Sequence, residues 1–413
     1  MEFLATVSLM IGRVLMETFT SPLFILLFLI LFLIITWQYK RLENMSAKMV
    51  NINKNRYLRS AVVSSLLGVI GGIIGTVLLV LIGIDLSSIG IMQLWIIALL
   101  LMVINPRFLC FAYAGGVLSI ASLFLGYPQI SIPQLMALVA ILHIIESVLI
   151  LVNGRFNPVP VYVQKANRIT GGFNLQKFWP IPLIALISTG IAEPGAGIAM
   201  PDWWPIIKDY SGFIEGQSYT LIPVVAILGY GEVATTAAPD TRVKKSALHL
   251  LVFSIVLLFL SILSSKWPIF MIIAALFSPL GHEFVIWLGL RDEINKKPLY
   301  VNPQKGLMVM DIKPGTWGAK MGIASKDILL SINGEPVEKF FMGSECTLSR
   351  GKIVIEVLRD KELLKLSGFF SQGSELGIIM APNQNTKMFI SIGEDNIFNL
   401  VRSICRRLKI TKY

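Results

Sequence analysis

The side chains best suited to chemistry in this sequence lie inside or beside apolar runs, where an ionisable group is costly and often functional. His282 and Glu283 follow Pro279-Leu280-Gly281. His143 and Glu146 stand three residues apart, on one face of a helix, and can pair. Glu193 and Glu232 flank Gly/Pro-rich breaks. A His-Glu pair on a helix raises zinc hydrolysis, in which His-Glu-x-x-His presents two imidazoles on one face and the glutamate serves as base. Here the run is His282-Glu283-Phe284-Val285-Ile286, so isoleucine stands where the second imidazole belongs. The third of the three histidines is His249, and no Asn-Pro-x-x-Asp-Gly element offers a further ligand. No metal, cofactor or catalytic residue is therefore expected. Polar packing between helices is the plainer reading of these groups, and a proton or ion pathway the other. A Gly-x-Ser-x-Gly elbow, a soluble protease domain and a Walker-type phosphate loop are also missing from the sequence.

A second constellation concerns binding. Residues 306–312, opening with Gly306, read as a buried strand, and Pro314-Gly315 turns the chain. Thr316 caps a short helix carrying Trp317 and Met321, which Gly322 ends where positive φ is needed. Asp327 opens a second strand at 328–332, with Leu330 expected in the core, and Asn333-Gly334 closes it with a hairpin-type turn. Residues 338–349 are expected to form a helix weakened by Gly343. Strands at 352–359 and 363–370 follow, and then Leu376-Gly377-Ile378-Ile379.

Strand, Pro-Gly, short helix, Gly-Ile and Lys-Asp-Ile-Leu-Leu-Ser-Ile-Asn-Gly, in this order, resemble the bacterial PDZ domain. The resemblance to site-2-protease-type PDZ modules implies a circular permutation. Leu376, Gly377, Ile378 and Ile379 then take the place of the loop whose N–H groups hold a peptide carboxylate, and 338–349 that of the groove helix. An exposed strand edge can add a partner strand. The alternative is a plain closing strand with an unused groove.

The elements that must position these groups are mostly membrane-like. Of 413 residues 54% are hydrophobic and 15% charged, and mean hydropathy is +0.71. Apolar runs at 23–37, 61–84, 89–104, 108–125, 133–152, 178–191, 219–238, 248–263 and 268–290 predict about nine spans, or eight if 178–191 is re-entrant. The expected fold is thus an α-helical polytopic membrane domain over 1–290 followed by a small α+β PDZ domain over 298–382. Residues 1–17 read as an interfacial helix. Gly71 and Gly75 give 61–84 a small-xxx-small face for close helix packing. The net charge of +11 comes from basic loops at 38–60 and 153–177, from Arg242, Lys244 and Lys245, and from the C-terminal end. This is a positive-inside pattern and not a nucleic-acid footprint. The loop with Glu193, Asp202, Asp209 and Glu215 is expected outside, with Trp203-Trp204 at the interface. The cysteines Cys110, Cys346 and Cys405 have no ligand spacing and read as bystanders. Residues 394–413 form a basic amphipathic tail, suited to anionic lipid or to docking on a protein.

With Phe178-Trp179-Pro180-Ile181-Pro182, Gly229-Tyr230-Gly231-Glu232 and Pro279-Leu280-Gly281-His282-Glu283, the whole resembles the MinJ-type membrane PDZ proteins of Gram-positive bacteria. That resemblance implies a non-enzymatic scaffold of the bacterial cell membrane, enriched at septum or poles. Its implied partners are the pole-marking coiled-coil protein DivIVA and the Min ATPase MinD. A relative or regulator of intramembrane proteolysis in envelope stress is the competing reading. The charge pattern predicts that a reporter fused after Lys245 or Tyr413 behaves as cytoplasmic, and one placed within 201–217 as external. A Tyr413 fusion active only outside the cell would overturn the assignment.

Overall fold

The computed structural model describes residues 2–51, 55–165, 168–191, 200–208, 217–342, 345–346, 348–371, 375–383, 386 and 388–391. Glu193, Asp209, Glu215 and the 394–413 tail lie outside the described residues. The chain divides into two compact units. The first comprises Met1–Glu43, Asn55–Pro158 and Asn174–Asn295; the second comprises Asn44–Lys54, Val159–Phe173 and Lys296–Tyr413.

The first unit contains helices α1 (Glu2–Thr20), α2 (Pro22–Val50, whose last turns belong to the second unit), α3 (Tyr57–Ile82), α4 (Ile91–Ile104), α5 (Phe111–Leu125), α6 (Ile132–Asn153), α7 (Pro239–Ser264) and α8 (Ile269–Asn295). Among the described residues five of them, α2, α3, α6, α7 and α8, are long and apolar enough to cross a membrane. About nine spans were expected, and four of those runs take other forms or lengths. The runs at 89–104 and 108–125 become α4 and α5, of 14 and 15 residues. At ~1.5 Å per residue each falls short of a hydrocarbon layer of about 30 Å. A 3-10 turn, Pro106–Leu109, joins them.

The runs at 178–191 and 219–238 are not helices. They form the strands β3 (Lys177–Ile191) and β4 (Gln217–Tyr230), paired antiparallel from Lys177↔Tyr230 to Ile191↔Gln217. The physical reason is proline. Pro180, Pro182 and Pro223 would each remove a helical hydrogen bond and clash with the preceding turn. Hydropathy reports that a segment is apolar, whereas its period decides helix or strand.

Hairpin β3–β4 is seated by α3. A methyl group added at Gly68 or Gly72 would overlap the carbonyl oxygen of Pro180 or Pro182, so the two backbones touch. Farther along, the Ile184 N–H donates to Thr76 Oγ1 at 2.8 Å. Gly71 meets Ile145 and Leu149 of α6, and Gly75 meets Ile145 and Leu183. The small-residue face therefore serves packing within the chain. Helix α1 buries Val7 and Ile11 with Val80, Leu186 and Trp204, and exposes Leu9 and Met16. Trp203 is exposed, but Trp204 is buried and donates from Nε1 to the Val80 carbonyl at 2.9 Å.

The second unit gathers residues from the expected basic loops. Strands β1 (Val159–Lys165) and β2 (Arg168–Asn174) form where 153–177 was expected to be loop. The short strand β5 (Val233–Ala234) lies in the first unit. The C-terminal strands are β6 (Leu307–Ile312), β7 (Ile328–Ile332), β8 (Glu335–Pro336), β9 (Phe341–Met342), β10 (Glu345–Cys346), β11 (Gly351–Arg359), β12 (Glu362–Phe370), β13 (Ile378–Met380) and β14 (Ile390–Ser391). The main sheet runs β12-β11-β7-β6-β13, with β8 on β7. The short helix α9 (Trp317–Lys320) packs on it. β14 pairs parallel with β1. The Gly171 N–H donates to the Tyr300 carbonyl at 3.0 Å.

Turn chemistry places Gly306, Gly315, Gly322, Asn333 and Gly334 at positive φ, as their types suggest. Pro314 stands beside Gly315 in that turn. The expected helix at 338–349 is absent among the described residues; a 3-10 turn, Val337–Lys339, leads instead into paired β9 and β10. After Met342 the sequence Gly343-Ser344-Glu345 supplies no apolar residue at helical spacing, and Gly343 disfavours a helix interior. The core joins Val309, Trp317, Leu329, Ile332, Ile353, Ile355 and Val357.

In β7 the strand phase is opposite to expectation: Leu329 is fully buried and Leu330 only partly. Leu329→Asp should therefore unfold the second unit, burying an unpaired charge, while Leu330→Asp costs much less. Limited proteolysis of the membrane-inserted chain checks this; equal sensitivity of the two variants would contradict the strand phase.

Candidate functional site

The break between α4 and α5 brings a thiol to two imidazoles. Asn105 accepts from the Arg107 N–H through its side chain, at 3.1 Å, and starts the 3-10 turn. Cys110 then caps α5, its sulfur 3.4 Å from the Ala112 nitrogen. His143 lies halfway along α6, and its Nδ1 is 2.7 Å from the Val139 carbonyl oxygen. That carbonyl requires Nδ1–H, so Nε2 carries the lone pair, and it faces Cys110 Sγ at 3.1 Å. His282 lies at the midpoint of α8, and its Nε2 is 3.6 Å from the same sulfur. Two contacts bring α8 this close. Ser278 Oγ donates to the Ala112 carbonyl at 2.8 Å, and Gly116 makes room for Pro279, whose Cδ would stand 2.5 Å from any added Cβ. Phe253 of α7 packs edge-on to both imidazoles, and Tyr113 to His282. Cys110, His143 and His282 offer one sulfur and two nitrogen atoms, all within 4.8 Å of one another, a set able to hold a metal ion.

Glu283 points elsewhere. Both of its carboxylate oxygens accept from Arg107, and Tyr113 Oη donates to it at 2.6 Å. The expected pairing of His143 with Glu146 is not formed, since His143 turns to Cys110 and Val139. Glu146 stays one turn away, half-buried. Glu232 joins a second polar cluster, where Arg242 Nε donates to it at 2.7 Å and Ser246 Oγ at 2.6 Å. On the far side Arg242 approaches Glu293 at 3.7 Å, and Glu293 accepts from Thr235 and Thr236. Sequence reasoning missed Cys110, Arg242 and Glu293. Cys110 carries no local signal because its partners are 33 and 172 residues away. In the sequence Arg242 is indistinguishable from the loop cations Lys244 and Lys245 beside it.

In the second unit, Leu376, Gly377, Ile378 and Ile379 lie beside α9. The carbonyls of Glu375, Leu376 and Gly377 accept from the N–H groups of Trp317, Gly318 and Lys313 at 3.0, 3.0 and 2.8 Å. Ile378 and Ile379 begin β13, the end strand of the sheet, which pairs with β6 through Ile378↔Ile312. Gly377 has φ +68, and a side chain there would overlap Thr316, so its need for glycine is internal packing. Tyr162 donates from its hydroxyl to the Met380 carbonyl at 3.0 Å, and burial pushes that phenol up to about 12, keeping the donor protonated. Asp327 is buried and takes two 2.7 Å bonds from Arg359, which fasten the start of β7 to the end of β11. These bonds raise the Arg359 pKa above its ordinary value.

No protein-family model matches the chain, and no solved structure matches it. Among curated proteins it is similar to the cell division topological determinant MinJ of Bacillus subtilis (strain 168). The two are 24% identical over 200 residues, 48% of this chain and 44% of MinJ. The chain thus spans less than half of MinJ's length.

Arg242 is the counter-charge of two carboxylates in a buried cluster. Arg242→Met should destabilise the first unit by about 3–5 kcal/mol, because both acids lose their partner. Arg242→Met/Glu232→Gln should recover part of that loss. Thermal unfolding in detergent checks it, and a single variant as stable as the parent would contradict the cluster's role.

Proposed function

We propose that this chain is a non-enzymatic, membrane-anchored adaptor that takes part in division-site placement and recruits protein partners through a PDZ domain in its second unit. Similarity to MinJ supports the division role, and five apolar helices of spanning length support the anchor. One observation carries the binding role. The loop before β13 turns its carbonyls inward onto α9, while among the described residues the Leu376 and Gly377 N–H groups have no hydrogen-bond partner. Such a loop beside an end strand suits a peptide carboxylate with strand addition along β13. With no helix among the described residues of 338–349, the groove would be more open than in a domain with a helix there. DivIVA-like and MinD-like proteins are the partners this reading predicts, with the second unit cytoplasmic.

The competing reading, intramembrane proteolysis, needs a free carboxylate as base. Glu283 is instead held by Arg107 and Tyr113, which favours the adaptor.

The test uses a photo-crosslinking residue at Leu376 in the full chain, with Lys361, in the β11–β12 turn, as control. Division proteins should be captured at 376 and not at 361, and a fluorescent fusion should collect at septa. Capture equal at both positions, or a fusion spread evenly over the membrane, would overturn the proposal.

A further inference from the structure

We propose that Cys110, His143 and His282 form a binding site for a single d10 transition-metal ion, Zn(II) or Cu(I), in the interior of the helical unit. No local spacing announces one, since the His-Glu pair lacks the second imidazole and the cysteines have no ligand spacing. The site instead takes one ligand from each of three separate elements.

Four observations converge on it. The donor set is a thiol and two imidazoles, which suits soft and borderline ions and excludes the oxygen-seeking Mg(II) and Ca(II). The spacing fits. Metal–sulfur bonds of ~2.3 Å and metal–nitrogen bonds of ~2.0–2.1 Å hold sulfur and nitrogen about 3.5–3.8 Å apart in tetrahedral or trigonal geometry. The His282 contact, 3.6 Å, already lies there, and the His143 contact, 3.1 Å, must open by only ~0.5 Å. The tautomer is set as well: His143 gives Nδ1–H to the Val139 carbonyl, an outer-shell contact of the kind that orients metal-ligating histidines. Finally, the depth matches. His143 and His282 are at the middles of spanning-length helices, and Cys110 is at the break between two helices too short to span.

Phe253 and Tyr113 line the imidazoles, Glu283 beside His282 is paired with Arg107, and Glu146 stands one turn from His143 on α6. A Cu(I) ion with one thiolate and two neutral imidazoles is uncharged and needs no fourth ligand. A Zn(II) ion would keep an open fourth position and a charge of +1. Binding either ion releases the Cys110 proton, so affinity rises with pH while that thiol titrates.

The experiment uses the full chain, purified in detergent and stripped of metal. Zn(II), or Cu(I) under reducing anaerobic conditions, is offered against a chelator of known affinity, and bound metal is counted by mass spectrometry. About one ion per chain is expected, with a loss of ~100-fold or more in affinity in Cys110→Ser and in His282→Gln. His249→Gln, outside the cluster, should bind as the parent does. Retention of Zn(II) alone or Cu(I) alone identifies the ion. Should the ligand variants fail to fold, a Cys346→Ser/Cys405→Ser chain leaves Cys110 as its only thiol. The metal should then slow alkylation of Cys110. No metal retained by the parent chain, undiminished retention in folded Cys110→Ser and His282→Gln, or alkylation indifferent to metal would each overturn the site.

Discussion

The contact between the glycines of α3 and the backbone of β3 is the constraint on which the helical unit depends. An apolar strand pair cannot leave its peptide groups unpaired in apolar surroundings, because each would cost several kcal/mol. β4 satisfies one edge of β3, and Gly68 and Gly72 let α3 close to backbone contact along it. Thr76 supplies a hydroxyl acceptor to the Ile184 N–H, a demand that no purely hydrocarbon side chain could meet. The same helix offers Gly71 and Gly75 to Ile145 and Leu149 of α6, within two turns of His143. Small residues here have a geometric purpose: they place two different elements against one helix.

Ionisable groups inside this unit are held in two ways. Glu283 and Glu232 are answered by Arg107 and Arg242 from other elements. Lys177, by contrast, donates to the Phe156 carbonyl, and Asp85 accepts from Ser87 and the Ser188 N–H. Isolated charges in such surroundings would cost more than any packing they allow. The Cys110–His143–His282 cluster differs from these in gathering one sulfur and two ring nitrogens from three elements. In the second unit the buried charge is Asp327, and Arg359 answers it from the far strand.

From 306 to 337 the order of strand, turn, short helix, strand and turn was legible in the amino-acid sequence. Each piece is dictated by local residue types: Pro314 fixes its own φ, and Gly315, Gly322 and Asn333-Gly334 allow the positive φ that the turns need. Long apolar helices were legible too, because length and hydropathy are local sums. The phase of β7 was not, since a two-residue period leaves either face available until β6 and β11 choose Leu329.

What the sequence determined by itself was the division into an apolar helical part and a sheet-rich part, and the turns that punctuate the latter. Tertiary structure decided the rest. It made strands of 177–191 and 217–230, where apolarity imitates a span but the prolines and the pairing partner fix the conformation. It drew 159–173 into the second unit through Tyr300 and β14. It also brought Cys110 to His143 and His282 across 33 and 172 residues, a meeting that no spacing could announce. The reason is the same in each case: local signals fix what a segment can become, and only packing against distant segments selects which of these it is.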